Sequence, residues 1–491
     1  MTHILSIDEG TTSTRAVAFR PEGRIGAVHG EEIVQHFPQS GWVEHDPAEI
    51  WDKTLRAANR VVEDVGAQSI AAIGITNQRE TIVFWDRRTG DPLAPAIVWQ
   101  DRRGAAICAD LKARGLEDDV QGRTGLLLDP YFSASKIRWA LENWPEVREA
   151  AKARRLAIGT IDSWVIWRLT GGLHVTDATN AARTLLMDLQ RCTWDAGLAA
   201  LFDVPMEALP EIVDCAGRIG ETRLIGGRTI PITGCAGDQQ AAAIGQVCLD
   251  PGAVKSTYGT GAFLLAHAGD AAPVSSNRLL STVAWRLGGR AAYALEGSIF
   301  VAGSAIKWLR DQIGIIASAS ETAGLAASVP DSDGVAFVPA FNGLGAPWWE
   351  PDARGIITGI SGGTTRAHIV RACLEAMSLQ TSDLLDAMRR DGVSPSLLRV
   401  DGGMVANDWL CQDLADVLGV TVERPKVVET TALGAAMLAA VGCGLFADLE
   451  SASVMWHAER RFEPVLNEET RSVRKTNWAT AVRQVMAGLP E

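Results

Sequence analysis

The chain opens with two short apolar runs joined by a polar turn, over Ile4 to Phe19. Apolar runs of this length bounded by turn residues predict buried strands, here paired as a hairpin. A second strand–turn–strand segment of the same layout lies at Ala253 to Leu265, with its turn at Gly259-Thr260. Repetition of one supersecondary unit indicates two related halves, which we divide into a first half, 1–249, and a second half, 250–491.

Apolar runs alternate with segments of helical periodicity along the rest of the chain. Further strands are predicted over Ile25–Val34, Ile70–Ile75, Ile82–Trp85, Ala96–Trp99, Thr229–Gly234 and Leu398–Gly403. Helices are predicted over Ala105–Lys112, Ala134–Glu142, Ile161–Leu169, Gln239–Gly245, Ile299–Leu309, Thr365–Arg389 and Asp408–Leu418. This alternation of strand and helix places the chain in the α/β class.

Two further segments carry local signals. The run Asp46-Pro47-Ala48-Glu49 places Asp at an N-cap, Pro at the first helical position and Glu at the third, which predicts a helix start with a capping box. The tail after Phe446, which contains Trp456 and Trp478, is expected to be helical and packed on the surface.

Composition narrows the class of protein. Of 491 residues, 47% are hydrophobic and 21% charged, as in a soluble globular protein with ample core. The net charge of -13 argues against nucleic acid or an anionic membrane as partner and favours a small ligand. Eight scattered cysteines without a CxxC pair predict reduced thiols, not a zinc site or a disulfide framework. No long apolar segment or signal peptide is recognised, so a cytoplasmic protein is expected.

The turn of the first hairpin has the chemistry of an anion cradle. Gly10 permits close backbone approach, Arg15 follows the turn, and hydroxyl donors come from Thr11, Thr12 and Ser13. Backbone N–H groups and hydroxyls can hold phosphates in this way without a Walker lysine. Asp8, where the first strand ends, is placed to hold a magnesium ion through its water shell. An ordinary Gly-Thr hairpin turn is the alternative interpretation.

The loops around these turns resemble a known family. Residues 7–12 and 400–403 resemble the phosphate and adenosine loops of the actin, hexokinase and Hsp70 ATPase superfamily. More particular runs resemble the glycerol kinases among the FGGY carbohydrate kinases: Trp42–Pro47, Gly74–Thr81, Asp129–Ser133, Ala236–Gln240, Tyr258–Gly261 and Asp401–Gly403. The resemblance covers about residues 4 to 445. It implies two actin-like (ribonuclease H-like) ATPase domains with a central cleft, and ATP-dependent phosphorylation of glycerol to sn-glycerol 3-phosphate with Mg²⁺.

A polyol site is also supported by residue chemistry. Arg79 and Glu80 follow a buried strand at a turn, where they can offer paired donors and a strong acceptor to vicinal hydroxyls. The resemblance implies that glycerol is bound by Arg79, Glu80, Tyr131, Asp238 and Gln239, and that its carbon edge is covered by Trp99 and Phe263. The alternatives are a solvated turn for the charged pair and plain core packing for the aromatic side chains.

Asp238 is the candidate catalytic base. Because it precedes a predicted helix, an N-cap role is the alternative, although the helix dipole would favour its ionised form in either case. Gly237 before it removes a side chain that would crowd a ligand. The resemblance implies that Asp238 accepts the proton of a terminal glycerol hydroxyl as it attacks the γ-phosphate, and that Asp8 and Asp238 form the metal site.

The resemblance also implies a nucleotide site. It places Thr11, Thr12, Ser13 and Arg15 at the phosphates, Thr260 at a second phosphate turn, and Gly303, Lys307, Gly403 and Asn407 around adenosine. For Thr260 and Gly403, turn chemistry alone is the alternative. Lys307 is a departure from the pattern, since the nearest bacterial glycerol kinases have Gln at this position.

Two other departures from the family pattern concern charge and regulation. Glu9 replaces the usual Gln beside Asp8, and strand alternation should point it away from the phosphates. The segment 225–229 is shorter than the loop with which some bacterial members bind fructose 1,6-bisphosphate, so that inhibition is not expected. His45 and His174 show no metal or catalytic spacing and are interpreted as structural.

Two alternative functions stay open at this stage. One is a kinase of another small polyol or ketose, such as erythritol or dihydroxyacetone, since one extra carbon changes binding by only about 1–3 kcal/mol. The other is an actin-like ATP-binding protein that polymerises or senses without phosphorylating a metabolite. A filament protein has no need of Arg79-Glu80 together with Asp238-Gln239. A homodimer or homotetramer is expected from the family.

Overall fold

The computed structural model describes residues 2–488 and contains two large mixed sheets with helices packed against them. The strands of the first half are β1 (His3–Glu9), β2 (Ser13–Phe19), β3 (Ile25–Glu32), β4 (Glu44–His45), β5 (Ile70–Asn77), β6 (Ile82–Asp86), β7 (Ala96–Ile97), β8 (Leu156–Thr160), β9 (Val175–Asp177), β10 (Met187–Asp188), β11 (Thr193–Trp194), β12 (Glu211–Val213), β13 (Ala216–Thr222) and β14 (Ile230–Gly237). Its helices are α1 (Pro47–Val65), α2 (Ala105–Ala113), α3 (Glu117–Thr124), α4 (Ser133–Asn143), α5 (Pro145–Lys152), α6 (Ile161–Thr170), α7 (Ala178–Ala181), α8 (Ala196–Leu201) and α9 (Asp238–Gly245).

The second half is built from the same kinds of element. Its strands are β15 (Ala253–Tyr258), β16 (Ala262–Gly269), β17 (Leu280–Leu287), β18 (Arg290–Ile299), β19 (Ala336–Val338), β20 (Ile356–Thr358), β21 (Leu397–Asp401), β22 (Thr421–Pro425) and β23 (Ala458–Phe462). Its helices are α10 (Gly303–Asp311), α11 (Glu321–Ala327), α12 (Arg366–Arg390), α13 (Asp408–Leu418), α14 (Thr430–Gly442), α15 (Leu449–Ala452) and α16 (Glu468–Ala487).

The two large sheets repeat one topology. In the first sheet the order β3-β2-β1-β5-β14 combines two antiparallel pairs, β3-β2 and β2-β1, with two parallel pairs, β1-β5 and β5-β14. In the second sheet β18-β16-β15-β21-β22 follows the same sequence of antiparallel and parallel pairs. The predicted α/β class and the two related halves are therefore confirmed.

Three expectations about individual elements are wrong. The helix predicted from Ile299 begins only at Gly303, because Ile299 is the last residue of β18 and its apolar run suits a strand as well as a helix. Asp46 caps α1 by accepting from the Ala48 N–H (2.8 Å), but Glu49 does not complete the capping box and instead pairs with Lys53.

The third wrong expectation concerns the tail after Phe446, which was expected to be helical and packed on the surface. It includes strand β23, which joins the second sheet, because Phe462 packs into the core of that half. Trp478 of α16 is also buried there, and its indole N–H donates to Asp383 (2.7 Å). The tail is therefore part of the second half and not a surface appendage.

Helix α14 belongs to the second half but packs against β5 and β14 of the first sheet. It also crosses α9, and at the crossing a Cβ on Gly434 would lie 1.8 Å from the carbonyl oxygen of Ala241. The two helix backbones are therefore in direct contact, which a larger side chain would prevent. A helix of the second half therefore completes the core of the first, so a single cut in the chain does not separate the two cores. The boundary at residues 249/250 stays a prediction.

Candidate active site

The turn of the β1–β2 hairpin lies at the cleft between the halves. Its backbone is closed by a hydrogen bond from the Gly10 N–H to the Ser13 carbonyl (3.0 Å). The hydroxyl residues Thr11, Thr12 and Ser13 are all at least partly exposed. The hairpin was predicted correctly, and its hydroxyl groups are accessible as an anion cradle requires.

Asp8 and Asp238 bring two carboxylates to the same space. Asp8 is partly exposed, and its side chain has no hydrogen-bond partner within residues 2–488. Burial and the carboxylate of Asp238 raise the pKa of Asp8 to about 7. Carboxylate oxygens are the ligands that Mg²⁺ prefers, and a cation between two carboxylates would relieve their mutual repulsion. The pair therefore fits the expected metal site.

Glu9 points away from the turn, as strand alternation predicted. Its side chain is buried between β1 and α1, where Oε1 accepts hydrogen bonds from the hydroxyls of Thr14 (2.8 Å) and Thr54 (2.7 Å). Burial raises its pKa to about 7. A negative charge at this position therefore does not face the phosphates.

A buried network of four charged side chains lies beside the acceptor site. The Arg79 guanidinium donates two hydrogen bonds to Glu296, from Nη1 to Oε2 (2.6 Å) and from Nη2 to Oε1 (3.0 Å). Arg183 donates to Oε1 of Glu296 (3.0 Å) and to Oε1 of Glu80 (2.7 Å). All four side chains are buried. The network joins the turn after β5 in the first half to β18 in the second.

The network changes the expected role of Arg79. Its Nη1 also donates to Gln240 (3.2 Å), and its Nε lies 3.2 Å from Oδ1 of Asp238. Most of its donors are therefore engaged by the protein, and Nη2 keeps one N–H without a partner within residues 2–488. Binding of the polyol by Arg79 stays a prediction, which rests on this remaining donor and not on a free pair. Glu80 is held with φ 62°, an unusual backbone conformation for a non-glycine residue, and its Oε2 makes no hydrogen bond within residues 2–488.

Sequence reasoning missed Arg183 and Glu296. Glu296 carries a detectable signal, because it is a lone carboxylate after the apolar run Ala291–Leu295 of a strand buried over most of its length. Arg183 follows the short helix α7 and has no motif that would single it out.

The three aromatic side chains predicted to cover the carbon edge of the ligand, Trp99, Tyr131 and Phe263, are partly exposed. Trp99 packs edge-to-face on Tyr131 with 5.6 Å between ring centroids. The Trp99 indole N–H donates to Oγ1 of Thr11 (2.9 Å), which links the acceptor site to the phosphate turn. Neither Trp99 nor Phe263 packs into a hydrophobic core within the described chain, 2–488, so plain core packing does not account for them.

Asp238 is the first residue of α9, and Gly237 occupies the N-cap position. The alternative N-cap role of Asp238 is therefore wrong; its Oδ1 accepts instead from the N–H of Gln239 (2.7 Å). A Cβ on Gly237 would come within 2.7 Å of the Arg79 side chain, so this glycine makes room for Arg79 and not for a ligand as expected. The Asp238 side chain is 32% exposed, which leaves its carboxylate accessible from the cleft.

The nucleotide residues predicted in the second half line one cavity. Its volume is about 850 Å³, within the range of small-molecule sites. The predicted residues on its wall are Thr260, Gly303, Lys307, Gly403 and Asn407. A Cβ on Gly403 would meet no protein atom within 4 Å, so this glycine leaves cavity volume open. Asn407 also caps α13, with its Oδ1 accepting from the Leu410 N–H (3.2 Å).

Arg15, the charged member of the phosphate turn, is paired across the cleft. Its Nη1 donates to both carboxylate oxygens of Glu429, at 2.9 and 3.1 Å. Glu429 immediately precedes α14 of the second half. The Arg15 guanidinium is thus bound to a carboxylate of the second half.

Of the two histidines interpreted as structural, His45 is buried and His174 is partly buried, and both are neutral at pH 7. Burial lowers the pKa of His45 and of His174 to about 4. His174 packs against Trp85, with 5.1 Å between ring centroids, and its Nε2 lies 2.9 Å from the Ile158 carbonyl oxygen. Both act in packing and not in acid–base chemistry at neutral pH.

Comparison with known proteins identifies the family. A glycerol kinase of Alcanivorax borkumensis is 55% identical over 99% of this chain and 98% of its own length, and one of Rhodospirillum rubrum is 54% identical over 100% of both. The crystal structure of Plasmodium falciparum glycerol kinase with ADP has a TM-score of 0.96 and 38% identity, covering 100% of this chain and 99% of that chain. Residues 3–245 and 254–443 match the N- and C-terminal domains of the FGGY family of carbohydrate kinases. The resemblance carried by the motifs is thereby confirmed, and the chain belongs to the FGGY family of carbohydrate kinases.

Proposed function

We propose that this protein transfers the γ-phosphate of ATP to glycerol, giving sn-glycerol 3-phosphate and ADP. The observation that carries the proposal is the position of Asp238, accessible from the cleft and held beside a buried network of fixed polar groups. The nucleotide cavity of the second half supports ATP as donor. The full-length relatives named glycerol kinase support glycerol as acceptor.

On the acceptor side, each residue has a separate task. Oε2 of Glu80 accepts a hydrogen bond from one hydroxyl, and the Gln239 amide binds another. Tyr131, Trp99 and Phe263 cover the carbon edge. Asp238 accepts the proton of the attacking hydroxyl, and Arg79 orients that carboxylate through its Nε at 3.2 Å. Positioning and electrostatics of this kind supply most of what phosphoryl transfer requires.

On the donor side, two hairpin turns face the phosphates. Thr11, Thr12, Ser13 and Arg15 bind them from the first half and Thr260 from the second, while adenosine occupies the cavity lined by Gly303, Lys307, Gly403 and Asn407. Asp8 and Asp238 would hold a magnesium ion, whose charge neutralises that of the phosphate oxygens. Closure of the cleft then excludes water from an in-line transfer.

A substrate panel tests the proposal. Purified protein with Mg-ATP should release ADP in proportion to added glycerol, with a kcat/KM for glycerol above that for erythritol and for dihydroxyacetone. ATP turnover without acceptor is the control. A higher kcat/KM for erythritol or dihydroxyacetone would assign a different acceptor. ADP release that no acceptor stimulates would favour the alternative of an actin-like ATP-binding protein that does not phosphorylate a metabolite.

The proposal extends to assembly and location. We expect a homodimer or homotetramer in the cytoplasm, on the basis of the family. Within residues 2–488, the helices are either too short or too polar to cross a bilayer. Light scattering on the purified protein measures the assembly state, and a monomer at micromolar concentration would contradict this part of the proposal.

A further inference from the structure

A buried lysine of the second half reaches into the acceptor site. Lys255 lies on β15 with 0% of its surface exposed, and its Nζ donates a 2.6 Å hydrogen bond to Oε1 of Gln239 at the start of α9. Within residues 2–488, this ammonium group makes no other hydrogen bond and has no carboxylate within 4 Å. Its one close partner is therefore a side chain of the substrate site.

The chemistry of this contact fixes the orientation of the Gln239 amide. A lysine ammonium has donors and no acceptor, so only the amide oxygen of Gln239 can face it. The amide nitrogen Nε2 is consequently turned away from Lys255, and it makes no hydrogen bond within the described residues, 2–488. Gln239 thus has a free donor beside the accessible carboxylate of Asp238.

The surroundings of Lys255 match a positioning role. The charges that act most strongly on the ammonium group are those of Asp401, Asp238, Arg79 and Glu296. Burial outweighs the carboxylates and lowers the pKa of Lys255. Complete burial of a lysine without a salt bridge is uncommon and unfavourable for packing alone. The contact with Gln239 gives this residue a function.

We propose that Lys255 is a positioning residue, which locks the Gln239 amide so that Nε2 donates to a hydroxyl oxygen of the acceptor. The inference rests on the proposed function. Asp238 and Gln239 then present an acceptor and a donor side by side to the hydroxyl groups. Without Lys255 the amide can turn its oxygen toward the ligand, and this donor is lost.

A double-mutant cycle tests the coupling. Lys255→Met keeps the length of the side chain and removes the donor, so KM for glycerol should rise about tenfold while KM for ATP changes less than about twofold. Gln239→Ala should raise KM for glycerol by at least as much. If Lys255 acts through Gln239, the double variant is no worse than Gln239→Ala; multiplicative effects of the two substitutions would overturn the proposal.

A second variant covers the case in which Lys255→Met fails to fold. Gln239→Glu keeps an acceptor for Lys255 as an ion pair but removes both amide donors, so KM for glycerol should rise as in Gln239→Ala. A near-normal KM in this variant would overturn the proposal. Gln380→Glu is the control, because the amide of Gln380 on α12 donates only to backbone carbonyls.

Failure of the two proposals can be told apart. If the unmodified protein does not phosphorylate glycerol, the proposed function is wrong and the inference falls with it. If the unmodified protein is active but the cycle shows independent effects, only the role of Lys255 is wrong.

Discussion

The two sides of the cleft are built from opposite kinds of chemistry. The acceptor side contains buried charges in fixed hydrogen bonds, with Arg79 and Arg183 both bound to Glu296 at 3.0 Å or less. The nucleotide cavity has glycines and small polar residues on its wall, and Lys307 on that wall is exposed. The acceptor side thus rests on a buried network of paired charges, and the nucleotide side on an open cavity.

This difference follows from the ligands. A polyol is small and uncharged, so the protein must supply fixed polar groups to recognise it, and rejection of a wrong ligand comes from leaving those groups unpaired. A nucleotide is large and carries its own charge, so backbone N–H groups and open volume are sufficient to bind it. Substitutions should therefore be severe on the acceptor side and graded on the nucleotide side.

The largest effect is expected at Asp238. Asp238→Asn removes the proton acceptor but keeps the shape of the side chain, so kcat should fall about 10²- to 10⁴-fold. Binding of ADP, measured by calorimetry, should stay largely intact. Asp110→Asn, on an exposed aspartate of α2, serves as control. Near-normal turnover of Asp238→Asn would exclude this residue as the base.

The next effect tests the buried network. Glu296→Gln leaves Arg79 and Arg183 without a common carboxylate, and the free energy of unfolding should fall by about 3–5 kcal/mol, as when one partner of a buried ion pair is removed. KM for glycerol should rise as well. Arg183, which donates to Glu80, and Arg79, which lies beside Asp238, both lose the carboxylate that holds them in place. Urea unfolding and steady-state kinetics measure the two effects.

The matched control for Glu296 is an exposed ion pair. Glu142→Gln breaks the Arg138–Glu142 pair on α4, where the change should be below about 1 kcal/mol. Equal losses of stability in the two variants would mean that the network is not a rigid element of the acceptor site.

The same contrast explains what could be predicted from sequence. Local patterns predicted the hairpins and the turns that carry Thr11, Thr260 and Gly403, because each of these sites is formed within a few consecutive residues. The pairing of Arg79 with Glu296 spans 217 positions and depends on how the two halves pack. No local pattern contains that information, so neither the roles of Arg183 and Glu296 nor the partners of Arg79 can be predicted from the sequence.

A graded effect is expected at the nucleotide cavity. In Gly403→Val the new side chain enters open space, so stability should be unchanged while KM for ATP rises about tenfold through lost cavity volume. KM for glycerol should change little. The neighbouring Gly402→Val is the contrasting variant, because Gly402 has φ 92° and a Cβ there would lie 2.4 Å from the Tyr258 carbonyl oxygen. Gly402→Val should lower the melting temperature, whereas Gly403→Val should leave it unchanged. The comparison separates the effect of backbone strain from that of lost cavity volume.

The smallest effect concerns the ion pair between Arg15 of the first half and Glu429 of the second. Arg15 and Glu429 are 46% and 26% exposed, so their ion pair contributes less than about 1 kcal/mol. Glu429→Gln should free Arg15 for the phosphates and lower KM for ATP by up to about fivefold at low salt, with less difference at high salt because exposed charges are screened. Arg15→Gln should raise KM for ATP and abolish the effect of Glu429→Gln in the double variant. An unchanged or raised KM in Glu429→Gln at low salt would show that the carboxylate does not compete with the nucleotide, and that charge on the donor side is as fixed as on the acceptor side.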